Sequence, residues 1–182
     1  MTPLPKAYAW LADEPGPRIL KVALATYGTA EQPGPGNNPS IMAWAKATGQ
    51  DRVYRNDDTA WCGLTMAYWA LEAGFPFEGP NPLGARNWLS WGNSVDRPAL
   101  ADALVFWRGS KTGWLGHVGM YVGEDMNAFH VLGGNQGDRV SIKRIDRTRL
   151  LGARRCKWRI AQPSNVRAVL LSPAGAMGGS EA

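Results

Sequence analysis

One apolar stretch, Thr59 to Gly74, constrains the fold of this chain more than any other feature. Trp61, Leu64, Tyr68 and Leu71 fall at helical spacing, and further apolar residues occupy the other faces, so the stretch predicts a helix buried almost all round. Gly74 suits its C-cap, and Asp58 or Thr59 its N-cap. A helix this apolar has to be covered by other elements.

The candidates for that cover differ on the two sides. Upstream, Arg18 to Tyr27 predicts a helix with Pro17 in its first turn, and Asn38-Pro39 forms a cap and first turn for a second helix over Ser40 to Thr48. The Pro- and Gly-rich run Gln32 to Pro39 between them predicts a rigid loop. Downstream, a connection through Pro82 leads to a short helix around Ala85 to Trp91, and then the period changes. Ala103 to Trp107 is a continuous apolar run, and His117 to Val122, Ala128 to Leu132 and Arg139 to Ile145 alternate as strands do. In the last of these, Val140 and Ile142 alternate with Arg139, Ser141 and Lys143, so one face is apolar and the other faces solvent. Helices first and strands afterwards predict an α+β fold, with the buried helix packed on an antiparallel sheet. One domain is expected over residues 1–160, followed by a flexible tail over 161–182, where Ala, Ser, Pro and Gly dominate.

Composition removes several function classes. With 45% hydrophobic and 19% charged residues the chain is not disordered, and no apolar run approaches the length of a membrane span, so stable membrane insertion is not expected. The net charge of +5 draws polyanions, whether nucleic acid, anionic wall polymers or an anionic membrane surface. The Lys and Arg residues are scattered and form no recognised reader motif, so a nucleic-acid partner is not expected. Two cysteines, Cys62 and Cys156, and two histidines, His117 and His130, lack metal-ligand spacing, and neither a metal nor a cofactor is expected. One disulfide or one reactive thiol stays open. A monomer is expected. The start, Met1 to Lys6, does not read as a secretory signal, so work outside the cytoplasm would need another route of release.

Cys62 falls in the first turn of the buried helix, where unpaired N–H groups and the positive end of the helix dipole favour a thiolate. An Asp58 cap would oppose that anion, so deprotonation calls for a basic partner. Strand arithmetic separates the two histidines. If residues 117–122 and 128–132 form a hairpin that pairs Val122 with Ala128, His117 lies opposite Gly133 and His130 opposite Met120. Period-two alternation then puts His117 and Asn135 on one face and His130 on the other. A Cys, His, Asn set has a mechanical logic: the imidazole takes the thiol proton, the amide oxygen orients the imidazole, and the thiolate attacks an acyl carbon. The backbone N–H of Cys62 is the natural first donor to the resulting oxyanion, with the second donor open. Cys156, in the basic run Arg154-Arg155-Cys156-Lys157, is the other candidate thiol, with no helix start or histidine beside it. Taken singly, a helical Cys, a strand His and each of the nine Trp residues read more simply as core.

Trp61-Cys62 opening a helix, Gly116-His117-Val118-Gly119 opening a strand with Tyr121-Val122-Gly123 after it, and Leu132-Gly133-Gly134-Asn135-Gln136 together resemble a papain-like family related to the NlpC-type and CHAP cysteine peptidoglycan hydrolases. The likeness is to an endolysin-like branch found in phages, prophages and bacterial genomes, and it extends from about Arg18 to Trp158. It implies a papain-like fold, with Cys62 as nucleophile, His117 as general base and later acid, and Asn135 as the orienting third residue. The third position varies in related families, so Gln136 and Asp138 compete with Asn135. The implied substrate is an amide of the bacterial peptidoglycan stem, with amidase and endopeptidase both open. The implied place of action is the cell wall or periplasm, after delivery by a holin, a virion or a secretion particle. Exposed Trp residues such as Trp88, Trp91 or Trp114 would help recognition. Two other readings use the same residues differently: a non-catalytic wall-binding or virion module, and a cysteine hydrolase or toxin aimed at another amide.

Overall fold

The computed structural model describes residues 2–173. A 3₁₀ turn over Lys6–Asp13 precedes α1 (Arg18–Ala25), α2 (Pro39–Ala47) and α3 (Cys62–Ala73), and a second 3₁₀ turn, Ala85–Ser90, leads into the strands. These are β1 (Asn93–Val95), β2 (Ala103–Trp107), β3 (Gly116–Glu124), β4 (Ala128–Gly133), β5 (Ser141–Asp146) and β6 (Leu150–Arg155). They form one six-stranded antiparallel sheet in the order β1-β6-β2-β3-β4-β5, so the architecture is α+β as the change of period predicts.

The predicted helices occupy their expected segments, with details that matter at their ends. Asn38 caps α2, its side chain accepting from the N–H groups of Ser40 and Ile41. Gly74 closes α3 in the left-handed conformation at φ 87°. At the other end of α3, Trp61 rather than Asp58 or Thr59 is the N-cap, with no side-chain capping bond, so Cys62 is the first helical residue. The Pro-rich loop is pinned as expected of a rigid one. Asp57, buried, accepts from the backbone N–H groups of Gln32 at 2.8 Å and Asn38 at 2.7 Å, and Asn37 Oδ1 accepts from Asp57 N–H.

α3 lies between α1 and α2 on one side and the sheet on the other. Leu64, Met66, Trp69 and Ala70 join Ile19, Leu20, Ile41, Val118, Met120 and Leu132 in the main core. Truncating one such residue, Leu64→Ala, costs about 2–5 kcal/mol by lost burial and cavity formation. The far face of the sheet carries a smaller cluster of Leu104, Phe106, Tyr121, Phe129, Val131, Ile145 and Ala153. Arg147 lies 4.6 Å above the Phe129 ring and Arg149 5.7 Å above the Trp107 ring, partly roofing it.

Two expectations about the second half need correction. The β3–β4 register is shifted by two residues, pairing Met120 with Leu132 and Tyr121 with Val131, and a bulge at Val122 then sets His130 opposite Gly123 rather than Met120. The bulge adds a third residue to the slip, yet His130 alternates with Val131 onto the face of Leu132, in the main core, while His117 shares its face with Tyr121, in the far cluster, so the two histidines still leave opposite faces of the hairpin. Residues 161–173 of the expected free tail are also held against the domain. Leu100 N–H donates to Arg167 O, Glu124 N–H to Val169 O and Leu171 N–H to Glu124 O, while Arg167 pairs with Glu14 at 2.7 Å. Residues 161–173 thus run back along the domain, and the rest of that segment, 174–182, lies outside the described residues. Among the described residues no helix is long and apolar enough to cross a membrane.

Candidate active site

The sheet opens where α3 begins. The last β3–β4 pair is Met120 with Leu132, so β3 has no β4 partner over residues 116–119. The first turn of α3 fills the gap. A Cβ on Gly134 would collide with Thr65 and Trp61, and a Cβ on Gly63 would collide with the carbonyls of Pro82 and Leu83, so glycine at both positions permits this close approach. The backbone N–H of Val118 reaches the Cys62 sulfur. Strand N–H groups lie in the plane of the sheet, so the thiol meets β3 edge-on, one residue from His117.

Cys62 is buried at 5% exposure. Burial pushes its thiol above the ordinary range. The N–H groups of Val118, Gly63 and Cys62 itself, together with the nearby Arg108 guanidinium, act in the opposite direction. The site therefore holds a protonated thiol whose anion is already provided with donors, and ionising it requires a base.

His117 supplies an imidazole with a defined hydrogen bond. Its Nε2 lies 3.2 Å from Gln136 Oε1. The orientation of that amide follows from its other end, because Gln136 Nε2 donates to Val131 O at 3.2 Å, Gly133 O at 3.2 Å and Ser141 O at 2.6 Å. With the NH₂ directed at carbonyls, Oε1 faces the ring. Oε1 only accepts, so His117 Nε2 carries the proton of this bond and the neutral ring keeps its lone pair on Nδ1.

Gln136, the alternative to Asn135, thus places its amide oxygen at hydrogen-bond distance from the ring. Asn135 is buried in the turn after β4, in the left-handed region at φ 54°, and counting by twos fails at a residue that turns the chain. Asparagine visits that conformation more readily than most residues, and its place after Gly133-Gly134 is the sequence signal for a turn here. Asp138, the other competitor, is exposed, also has a positive φ of 58°, and lines a groove of about 590 Å³ with Glu31, Gln32, Asp57, Asp58 and Arg139. That groove connects to the site through Trp61, whose indole donates to Glu31 Oε1 at 2.6 Å. Burial, more than the neighbouring carboxylates, raises the Glu31 carboxyl above its usual range.

The remaining candidates separate clearly. Cys156 is 1% exposed, and burial pushes its thiol up to about 12, so its basic neighbours do not activate it. Both cysteines are free. His130 is fully buried on the other side of the hairpin, with Nδ1 at 2.7 Å from Tyr8 Oη and Nε2 at 2.8 Å from Asp125 Oδ2. Asp125 also takes a two-pronged bond from Arg144, at 2.7 and 3.0 Å. No sequence pattern flagged this network, whose members are spread over residues 8 to 144 and meet only in the fold. Of the three Trp residues considered for recognition, Trp88 and Trp91 are core and Trp114 is 84% exposed.

Compared with protein-family models, the chain matches none, and no curated protein matches it.

Proposed function

We propose that this chain is a cysteine peptidoglycan hydrolase with a papain-like domain of the NlpC-type and CHAP-related kind, cleaving an amide bond of the stem peptide. The observation that carries the reading is the meeting of Cys62, at the first position of α3, with the start of β3, beside a histidine whose Nε2 proton is fixed by Gln136.

In the proposed mechanism His117 Nδ1 takes the Cys62 proton as the sulfur attacks the scissile carbonyl carbon. The carbonyl oxygen becomes an oxyanion, for which the Cys62 N–H at the helix start is a donor. His117 then gives the proton to the departing amine, leaving an S-acyl enzyme. Water attacks that thioester with His117 again as base, and collapse releases the acid and restores the thiol. Gln136 holds the ring through both proton transfers and accepts the hydrogen bond of the transient imidazolium. The +5 charge suits an anionic envelope. The enzyme would act on the wall after release or delivery from the cell that makes it.

Mass spectrometry of the soluble products from purified peptidoglycan tests this. Wild type is expected to release fragments that Cys62→Ser does not, with free stem peptides marking an amidase and trimmed muropeptides an endopeptidase. Equal release by both proteins, or none by either across several wall chemotypes with reductant present, contradicts the reading.

A further inference from the structure

The loop between β2 and β3 leads directly into His117, and it is built more firmly than an exposed loop of this length needs to be. Its neck is closed by Arg108 N–H donating to Leu115 O at 3.2 Å. Inside it, Ser110 N–H donates to Arg108 O, Gly113 N–H to Ser110 O, and the Ser110 and Thr112 hydroxyls lie 3.2 Å apart. Arg86, on the 3₁₀ turn over 85–90, then reaches across. Its Nε donates to Leu115 O at 2.8 Å, its Nη1 to Lys111 O at 3.0 Å and its Nη2 to Ser110 O at 2.8 Å. A planar guanidinium satisfies three loop carbonyls at once, which a lysine ammonium on its flexible stem does not reproduce. Arg86 is itself fixed from below, since its side chain packs where a Cβ of Gly116 would stand.

What this frame displays is Trp114, 84% exposed, with Leu115 beside it at 44%. Five of the nine Trp residues are core, namely 44, 61, 69, 88 and 91, and Trp107 is half-buried with its indole donating to Thr148 O. What sets this indole apart from the other exposed apolar side chains is a flat ring face next to a second apolar side chain, on a loop that runs into the strand of His117. Arg108 and Lys111 flank it with positive charge.

We infer that the 108–115 loop is a sugar-binding wall at the entry to the His117 strand, in which Trp114 stacks on the pyranose ring of an acidic wall saccharide and Arg86 is the positioning residue that holds the loop carrying Trp114. The C–H face of a pyranose carries partial positive charge and is flat enough to lie on an indole face, whose quadrupole is negative. The cations suit the carboxylate that a muramic acid unit carries. This inference rests on the proposed wall hydrolysis, and it names which part of the wall the site holds.

The test reads binding apart from cleavage. The peptide-free GlcNAc–MurNAc disaccharide is titrated into Cys62→Ala protein while the indole N–H signals are followed by NMR, with Trp114 assigned through Trp114→Phe. The Trp114 signal is expected to shift in a saturable way, with affinity falling about tenfold or more in Trp114→Ala and largely kept in Trp114→Phe. Arg86→Ala and Arg86→Lys are expected to weaken the same binding, and on intact wall to raise KM about tenfold while leaving kcat near wild type. A Trp114 signal that does not move, or equal affinity in Trp114→Ala, overturns the inference. So does a fall in kcat with unchanged KM in both Arg86 variants, because that is the mark of general damage. Failure of the wild type to cleave any wall would sink the proposed function and leave the disaccharide result to judge this inference separately.

Discussion

The two histidines are both buried and sit on strands of one hairpin, yet the structure surrounds them in opposite ways. His130 is held at both nitrogens, by a tyrosine hydroxyl and by a carboxylate that an arginine already neutralises, so its ring is a strut between the N-terminal 3₁₀ turn and the sheet. His117 is held at Nε2 by a neutral amide whose own NH₂ is spent on three carbonyls, and it stands next to the residue whose N–H touches a thiol. Burial and the Arg144-paired carboxylate make His130 a neutral cross-link, while at His117 the Gln136 amide fixes a tautomer suited to proton transfer. That contrast is the physical case for assigning chemistry to one histidine and cohesion to the other.

The largest effect that tests the contrast is on activity. Cys62→Ala is expected to lower wall hydrolysis by about 10³-fold or more, with a melting temperature near wild type, since one sulfur is lost and little packing with it. Gln136→Ala is expected to lower kcat by roughly 10–10³-fold, because the ring then loses its tautomer lock. Gln136→Glu should rescue it only partly, since the carboxylate accepts from Nε2 but cannot donate to Val131 O, Gly133 O and Ser141 O.

The next effect is on stability and its dependence on pH. Burial holds the His130 imidazole below its ordinary pKa, so the unfolded chain binds that proton more readily than the folded one. Stability contributed in this way is present at neutral pH and lost as pH falls through the ordinary histidine range of about 6.5. The Arg144 guanidinium holds the Asp125 carboxyl well below the carboxylate range, so its contribution is present above about pH 4 and lost on further acidification. A melting curve should therefore show two acid limbs, and His130→Gln should flatten the upper one. The smallest effect is on thiol labelling. Cys62 should alkylate ahead of Cys156 in the native state, at a rate that rises as pH is taken above the ordinary thiol range, while Cys156 should label only on unfolding. Mass spectrometry of the modified peptides reads both.

Much of this was legible in the chain, and the exceptions share a cause. The helices α1 to α3 and the strands β2 to β5 follow from local periodicity and caps, which residues carry with them. β1 and β6 do not. Asn93-Ser94-Val95 is short and mostly polar, and Leu150 to Arg155 has no alternation, so both are strands because of what they pair with. The hairpin side of each histidine survived a register error because the slip is two residues up to Tyr121 and the bulge at Val122 absorbs the odd third one before His130. The amide seen at His117 Nε2 is that of Gln136, the alternative to Asn135, and counting by twos could not rank the two because Asn135 turns the chain. The Tyr8, Asp125, His130 and Arg144 network was invisible for a further reason: four polar residues on the N-terminal turn, the β3–β4 turn, β4 and β5 say nothing of one another until tertiary structure brings them together.

One paired measurement tests the central claim most directly: steady-state hydrolysis of the same purified peptidoglycan by His117→Ala and His130→Ala, with a melting curve for each. His117→Ala is expected to lose about 10³-fold or more in rate and keep its melting temperature, whereas His130→Ala stays active and melts several degrees lower, as loss of about 2–4 kcal/mol from a broken buried network implies. An inactive His130→Ala beside an active His117→Ala, or equal activity in the two, contradicts that claim.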